Sequence, residues 1–243
     1  MRALSSLGAF ILLSQEPTNR SIMPLRGPDI MASELLKKLA TKSITKKELF
    51  QKVEQNFNLL PEVLNGVFSS KAAIRYGCAK VLMDLSEKYP EKLYPHMDFF
   101  IGLLDSKYRI LTWNAMTIIA NLTKVDEDKK FDAVFDRYYG FLNDAYMVTV
   151  ASVVVNSARI ALAKPHLTQK ITNELLKVEN ISTTPHLTEE CKRVIAEHTI
   201  KSFALFFDQI EQKGQVISFV ESHFDSPRKT LRTTAEEFLL KFC

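Results

Sequence analysis

Glycine and cysteine are scarce in this chain of 243 residues, with seven glycines, three cysteines and a single tryptophan. Cys78, Cys191 and Cys243 are odd in number, far apart and never arranged as C-x-x-C, which argues against a disulfide framework or a structural zinc site. A reducing, cytoplasmic setting is the default expectation. The sequence also lacks G-x-x-x-x-G-K-[ST], G-x-G-x-x-G and G-x-S-x-G, so no recognisable phosphate loop, dinucleotide fingerprint or nucleophile elbow is present. The histidines His96, His166, His186, His198 and His223 never stand at the i, i+4 spacing that clamps a metal, and no H-E-x-x-H occurs. No metal, cofactor or catalytic residue is expected.

Charge of one sign is lacking too. Thirty-two Lys and Arg face 28 Asp and Glu, a net charge of +4, which is too small an excess over this length to imply nucleic acid without a clustered basic face. One cluster exists, Lys37, Lys38, Lys42, Lys46 and Lys47, but Glu34 and Glu48 dilute it, and a solvated helix face explains it better than a phosphate or lipid surface. No apolar run approaches the roughly 20 residues of a membrane span. Arg2 and the apolar stretch Leu4 to Leu13 loosely resemble a signal peptide, yet no clear small-x-small cleavage site follows. Residues 1–30 therefore read as a leader, a disordered tail or a misassigned start, and residues 31–243 as a single domain.

What the chain does have is repetition. Gly66-Val67-Phe68-Ser69-Ser70, Gly102-Leu103-Leu104-Asp105-Ser106 and Gly140-Phe141-Leu142-Asn143-Asp144 are variants of one phrase, with a relic at Ser222-His223-Phe224-Asp225-Ser226. A period near 40 residues marks a helical repeat array. After each phrase, apolar residues fall at i, i+4, i+7, i+8 and i+11, one face of a helix: Ile74, Cys78, Val81, Leu82, Leu85; Leu111, Ala115, Ile118, Ile119, Leu122; Val150, Val154, Ser157, Ala158, Ala161; and Leu231, Ala235, Phe238, Leu239, Phe242. A poorer copy, Ile195, Thr199, Ser202, Phe203 and Phe206, supplies the missing unit. Before it, Glu179 to Pro185 lacks apolar periodicity and reads as a lengthened loop, with Thr188 as the next N-cap and Glu189 and Glu190 at the positive end of the helix dipole.

The first helix of each pair is shorter and more aromatic, as in Phe99, Phe100, Leu103 and Leu104 or Phe131, Phe135, Tyr138 and Phe141. Pro61 and Pro95 sit near two helix starts, where a missing backbone donor costs little. The glycines of the recurring phrase weaken the last turn of their helices by roughly 1 kcal/mol each against alanine. Close helix approach or an easy helix ending is the expected compensation. Pro165-His166-Leu167-Thr168 and Pro185-His186-Leu187-Thr188 mark two further helix entries, with proline before and threonine as cap.

The segment Ser70-Lys71-Ala72-Ala73-Ile74-Arg75-Tyr76-Gly77-Cys78-Ala79-Lys80-Val81-Leu82 resembles the HEAT-repeat family, the stacked helix pairs of the armadillo-like superhelices. The next unit keeps Ala115 and the apolar ladder but has Thr112 where that resemblance implies arginine. The resemblance covers about 47 to 243 and implies an all-α superhelix, a solenoid of about five HEAT-like helical pairs. It is nearly silent on function, since one scaffold hosts many roles.

In such stacks the second helices line one face, and residues opposite the apolar stripe point outward. Those positions hold Tyr76, Trp113, Ser152, Glu197 and Thr233, and then Lys80, Thr117, Asn156, Lys201 and Glu237. Tyr76 and Trp113 are expected to be neighbours on adjacent repeats, an aromatic pair with the composition of an interaction hot spot; inter-repeat packing of Trp113 is the alternative. The expected function is a non-enzymatic scaffold or adaptor that binds a protein partner through its inner face, with Tyr76, Lys80, Trp113, Asn156, Arg159 and Lys201 as contact residues. The rival is a nucleic-acid-binding protein, since one branch of HEAT-like folds resembles DNA glycosylases; Trp113 and Asp84 are the residues that would be cast there, but the required constellation is not recognisable.

Overall fold

The computed structural model describes residues 33–243; the expectations for residues 1–30 lie outside them. The helices are α1 (Glu34–Ala40), α2 (Lys46–Gln55), α3 (Leu60–Gly66), α4 (Ala72–Lys88), α5 (Pro90–Leu93), α6 (Met97–Gly102), α7 (Arg109–Leu122), α8 (Lys130–Gly140), α9 (Met147–Ala163), α10 (Thr168–Leu176), α11 (Glu189–Phe206), α12 (Lys213–Glu221) and α13 (Lys229–Phe242). No strand occurs among the described residues, only an isolated bridge between Thr184 and Leu187. The fold is all-α.

Helices α3/α4, α6/α7, α8/α9, α10/α11 and α12/α13 form the expected pairs. The longer second helices pack consecutively, α4 on α7, α7 on α9, α9 on α11 and α11 on α13. Short helical turns at 57–59, 94–96, 123–125, 165–167 and 207–209 precede the first helix of each pair, a third element that the pairwise sequence reading did not resolve. Helix α1 begins on Ser33, whose hydroxyl accepts from Leu36 N, and α2 begins on a capping box between Thr45 and Glu48.

The apolar template is the core. Its residues on α4, α7, α9 and α11 are all buried, and on α13 Leu231, Ala235 and Phe238 are buried while Leu239 and Phe242 are half-covered. Each fully buried aliphatic or aromatic side chain contributes about 1.5–3 kcal/mol relative to exposure. The hydroxyls that weaken the α11 match do not stay unsatisfied. Thr199 Oγ1 donates to Ile195 O at 2.9 Å and Ser202 Oγ to Val154 O at 3.1 Å, so one of them ties α11 to α9. Helix α8 packs the deepest aromatics, with Tyr138 donating to Met116 O and Tyr139 to Ser157 Oγ.

The recurring phrase is the corner between paired helices, with Gly66, Gly102 and Gly140 each ending a first helix. Close approach explains only the first: a Cβ on Gly66 would overlap Cys78 Sγ, whereas Gly102 and Gly140 face open space. Arginine fastens two of the corners. Arg75 donates to Ser69 O and Ser70 O at 2.8 and 3.2 Å, and Arg232 donates to Ser226 O at 2.5 Å.

The lengthened loop before α11 is docked. Thr184 Oγ1 donates to Ala145 O at 2.6 Å, Met147 N donates to His186 O at 3.3 Å, and the His186 ring stacks on Tyr146 at 4.2 Å. Thr188 then caps α11 through Cys191 N. Thr168 differs from expectation: it is the first residue of α10 rather than its cap, and its hydroxyl points to Gln209 Oε1 at 3.4 Å.

Candidate functional site

The side chains opposite the core stripe of the second helices fall into two groups, those bonded to a neighbouring repeat and those left exposed. Some are used to fasten one repeat to the next. Trp113 Nε1 on α7 donates to Thr149 Oγ1 on α9 at 3.1 Å, and Asn156 Nδ2 on α9 reaches back to Thr117 Oγ1 on α7 at 3.3 Å. Asn156 is only 4% exposed, with a second bond to Ser152 O at 2.8 Å. That burial removes Asn156 from the surface it was expected to share, because its amide is consumed between helices.

Arg159, half-buried, donates to Asn156 Oδ1 at 3.1 Å. Lys80 is half-buried and pairs with Asp84 at 2.6 Å, one turn along α4. Lys201 is exposed and pairs with Glu197 at 2.5 Å. Glu197 also accepts from Arg228 Nε at 2.9 Å and Thr230 Oγ1 at 2.7 Å, joining α11 to α13. Burial works against ionisation of this carboxyl, but the bonds from Lys201, Thr230 and Arg228 outweigh it and hold its pKa down at about 2.

Tyr76 and Trp113 are both half-buried, yet the aromatic partner of Tyr76 is Tyr108, edge-on at 6.3 Å. The guanidinium of Arg75 lies over Tyr108 at 3.8 Å, and that of Arg109 over Tyr146 at 3.6 Å while also bonding Asp144. A row of arginine–tyrosine stacks thus runs along the N-terminal ends of the second helices. Trp113 instead borders a crevice of about 340 Å³ shared with Arg109, Lys107, Phe141, Asp144 and Thr149.

A second set of side chains, not among the residues expected from the sequence, is left exposed. Val148, Val155 and Leu162 on α9 are 47%, 54% and 49% exposed, Leu205 on α11 is 66% exposed, and Ile110 on α7 is also exposed. The signal was available: α9 reads apolar nearly all round, and such a helix either is wrapped on every side or presents apolar surface. The lysine cluster of α1 and α2 is solvent-facing, with Lys37 paired to Glu34 at 2.9 Å.

A separate charged knot lies at the other edge of the stack. Asp126, buried, accepts from Tyr94 Oη at 2.9 Å, from Lys130 N at 2.8 Å and from Phe131 N at 3.0 Å, and pairs with the buried Lys164 at 3.0 Å. His166 bonds Asp132 beside it at 2.5 Å. This knot caps α8 and cross-links three consecutive repeats. No group of three metal-ligating side chains stands together among the described residues, and no helix among them is long and apolar enough to cross a membrane.

No protein-family model matches the chain, and no curated protein matches it. Among solved structures, a designed armadillo repeat protein is similar over 88% of this chain and 95% of its own, with 19% identity and a TM-score of 0.58. A second designed armadillo repeat protein, in complex with the peptide (KR)4, is similar over 86% of this chain and 91% of its own, at 16% identity and a TM-score of 0.57. Paired helices, stacked second helices and this likeness together give the chain an armadillo/HEAT-like α-solenoid fold.

Proposed function

We propose that the protein is a non-enzymatic scaffold that binds a protein partner through the face made by its second helices, centred on the Trp113 crevice and the exposed apolar residues of α9. The observation that carries this reading is the exposure of three large aliphatic side chains, Val148, Val155 and Leu162, on the single helix α9. Apolar side chains gathered on one exposed helix face are the kind of surface that interaction sites use. The peptide held by one of the designed armadillo proteins supports the same use of the fold. Tyr76, Lys80, Trp113, Arg159 and Lys201 stand on or beside this inner face, and Asn156 supports it from beneath. Cytoplasmic residence is part of the proposal, on the strength of the unpaired cysteines.

Nucleic acid is the rival class. Its phosphates would meet aliphatic side chains along α9, whose sole charged residue is Arg159. Binding of a random DNA duplex, measured against salt, separates the two: a phosphate-tracking face loses affinity steeply with salt. Capture of partners from native lysate by the immobilised chain should fall sharply for the Tyr76→Ala, Trp113→Ala double variant. Undiminished capture by the folded double variant overturns the proposed face.

A further inference from the structure

The exposed residues of α9, Val148, Val155 and Leu162, are spaced by sevens. That is the interval at which one helix presents a straight seam to another helix lying along it. At 1.5 Å per residue the seam runs about 21 Å, close to four turns. It starts next to Thr149, which borders the Trp113 crevice. It ends at the C-terminal end of α9, beside the adjoining α11, whose own C-terminal end carries the exposed Leu205.

The helix that carries the seam and its neighbour α7 have charges of one sign. Helices α7 (Arg109–Leu122) and α9 contain no aspartate or glutamate, and their charged residues are Arg109 and Arg159. On the other side, α11 carries Glu189, Glu190 and Glu197, of which Glu197 is engaged by Lys201, Arg228 and Thr230. Arg109 is committed to Asp144 at 3.2 Å, and Lys201 to Glu197. Arg159 bonds only the neutral amide of Asn156 among the described residues, so its charge is uncompensated at the middle of the seam.

We infer that the seam on α9 seats an acidic amphipathic helix of a protein partner, its apolar heptad stripe on Val148, Val155 and Leu162 and a carboxylate beside Arg159. This rests on the scaffold reading above and adds the chemistry of the partner. A strongly basic peptide such as the one named for the designed neighbour finds no carboxylate on α7 or α9 to pair with. A bare phosphate backbone finds one guanidinium among aliphatics.

The test uses synthetic peptides of about three heptads, leucine at a and d, alanine elsewhere, and either glutamate or lysine at every e and g. Fluorescence anisotropy with the full chain should show the glutamate peptide binding at least about tenfold tighter than the lysine peptide at low salt. Val155→Asp and, separately, Leu162→Asp should weaken the glutamate peptide about tenfold or more. Both positions are about half exposed, so circular dichroism should report an unchanged fold. Arg159→Glu should reverse the peptide preference.

Equal or stronger binding of the lysine peptide overturns the inference, as does indifference to Val155→Asp. If the glutamate peptide is indifferent to the seam variants while Trp113→Ala still abolishes lysate capture, the acidic-helix inference fails and the scaffold reading stands. Indifference of both assays to every variant sinks both. Sedimentation showing a dimer that Val155→Asp dissolves assigns the seam to a second copy of this chain and also overturns it.

Discussion

Trp113 Nε1 donates to Thr149 Oγ1 across the α7/α9 junction, and the same indole walls a crevice between the corners that precede these two helices. One residue therefore couples repeat stacking to the surface. Trp113→Phe removes the hydrogen bond but keeps most of the ring, and should cost about 1 kcal/mol of stability with partner capture largely kept. Trp113→Ala should cost about 3 kcal/mol or more by leaving a gap between helices and should abolish capture. Urea titrations and capture assays on the pair separate the two contributions; equal loss of capture in both variants would place the effect in the bond rather than the ring.

Asp126 and Lys164 form a buried pair at the opposite edge. Burial opposes ionisation of Asp126, yet the bonds from Phe131 N, Lys164, Tyr94 and Lys130 N hold its pKa below the usual carboxylate value. Asp126→Ala leaves the Lys164 charge buried without its partner and uncaps α8, which should cost about 3–5 kcal/mol. Chemical denaturation measures it. A loss below 1 kcal/mol would mean that Lys164 finds water or Asp132 instead.

Glu197 makes stability depend on acid. Its folded pKa is about 2 against an ordinary 4.5, so its contribution is complete above 4.5 and drains away as pH falls toward 2. Glu197→Gln should flatten the decline of the urea midpoint across that window, with little change in its slope above pH 5. A wild-type midpoint that is already constant from 4.5 to 2 would contradict the triple engagement of this carboxylate.

The three corner glycines should respond with opposite signs. Gly66→Ala pushes a methyl into Cys78 Sγ and the Leu36 side chain, and should destabilise by about 1–3 kcal/mol. Gly102→Ala and Gly140→Ala meet nothing, and both sites have helical φ angles of −61° and −55°, so each should stabilise by about 0.5–1 kcal/mol. Thermal melts of the three single variants decide it, and a common sign across them would refute the distinction.

The recurring phrase and the i, i+4, i+7, i+8, i+11 template were legible because they are local. A helix repeats its faces every 3.6 residues, so its core stripe is written into its own sequence, and even the degraded copy on α11 was found by that rule. The lengthened loop and its Thr188 cap were legible for the same reason. The outward positions were only half legible: Trp113 and Arg159 keep part of their surface open, but Asn156 is sealed between α7 and α9 and Tyr76 turns to Tyr108.

The repeat, the pairing of helices and the core are all written along the chain, because they follow from periodicities within one segment. Only the tertiary structure decided which outward residues stay outward. Stacking second helices side by side covers the flanks of each, so polar side chains that reach a neighbour, such as Asn156 and Glu197, become fastenings, while Val148, Val155 and Leu162 are only about half covered and stay on the surface. That choice depends on the angle and separation of adjoining helices, which no single helix encodes.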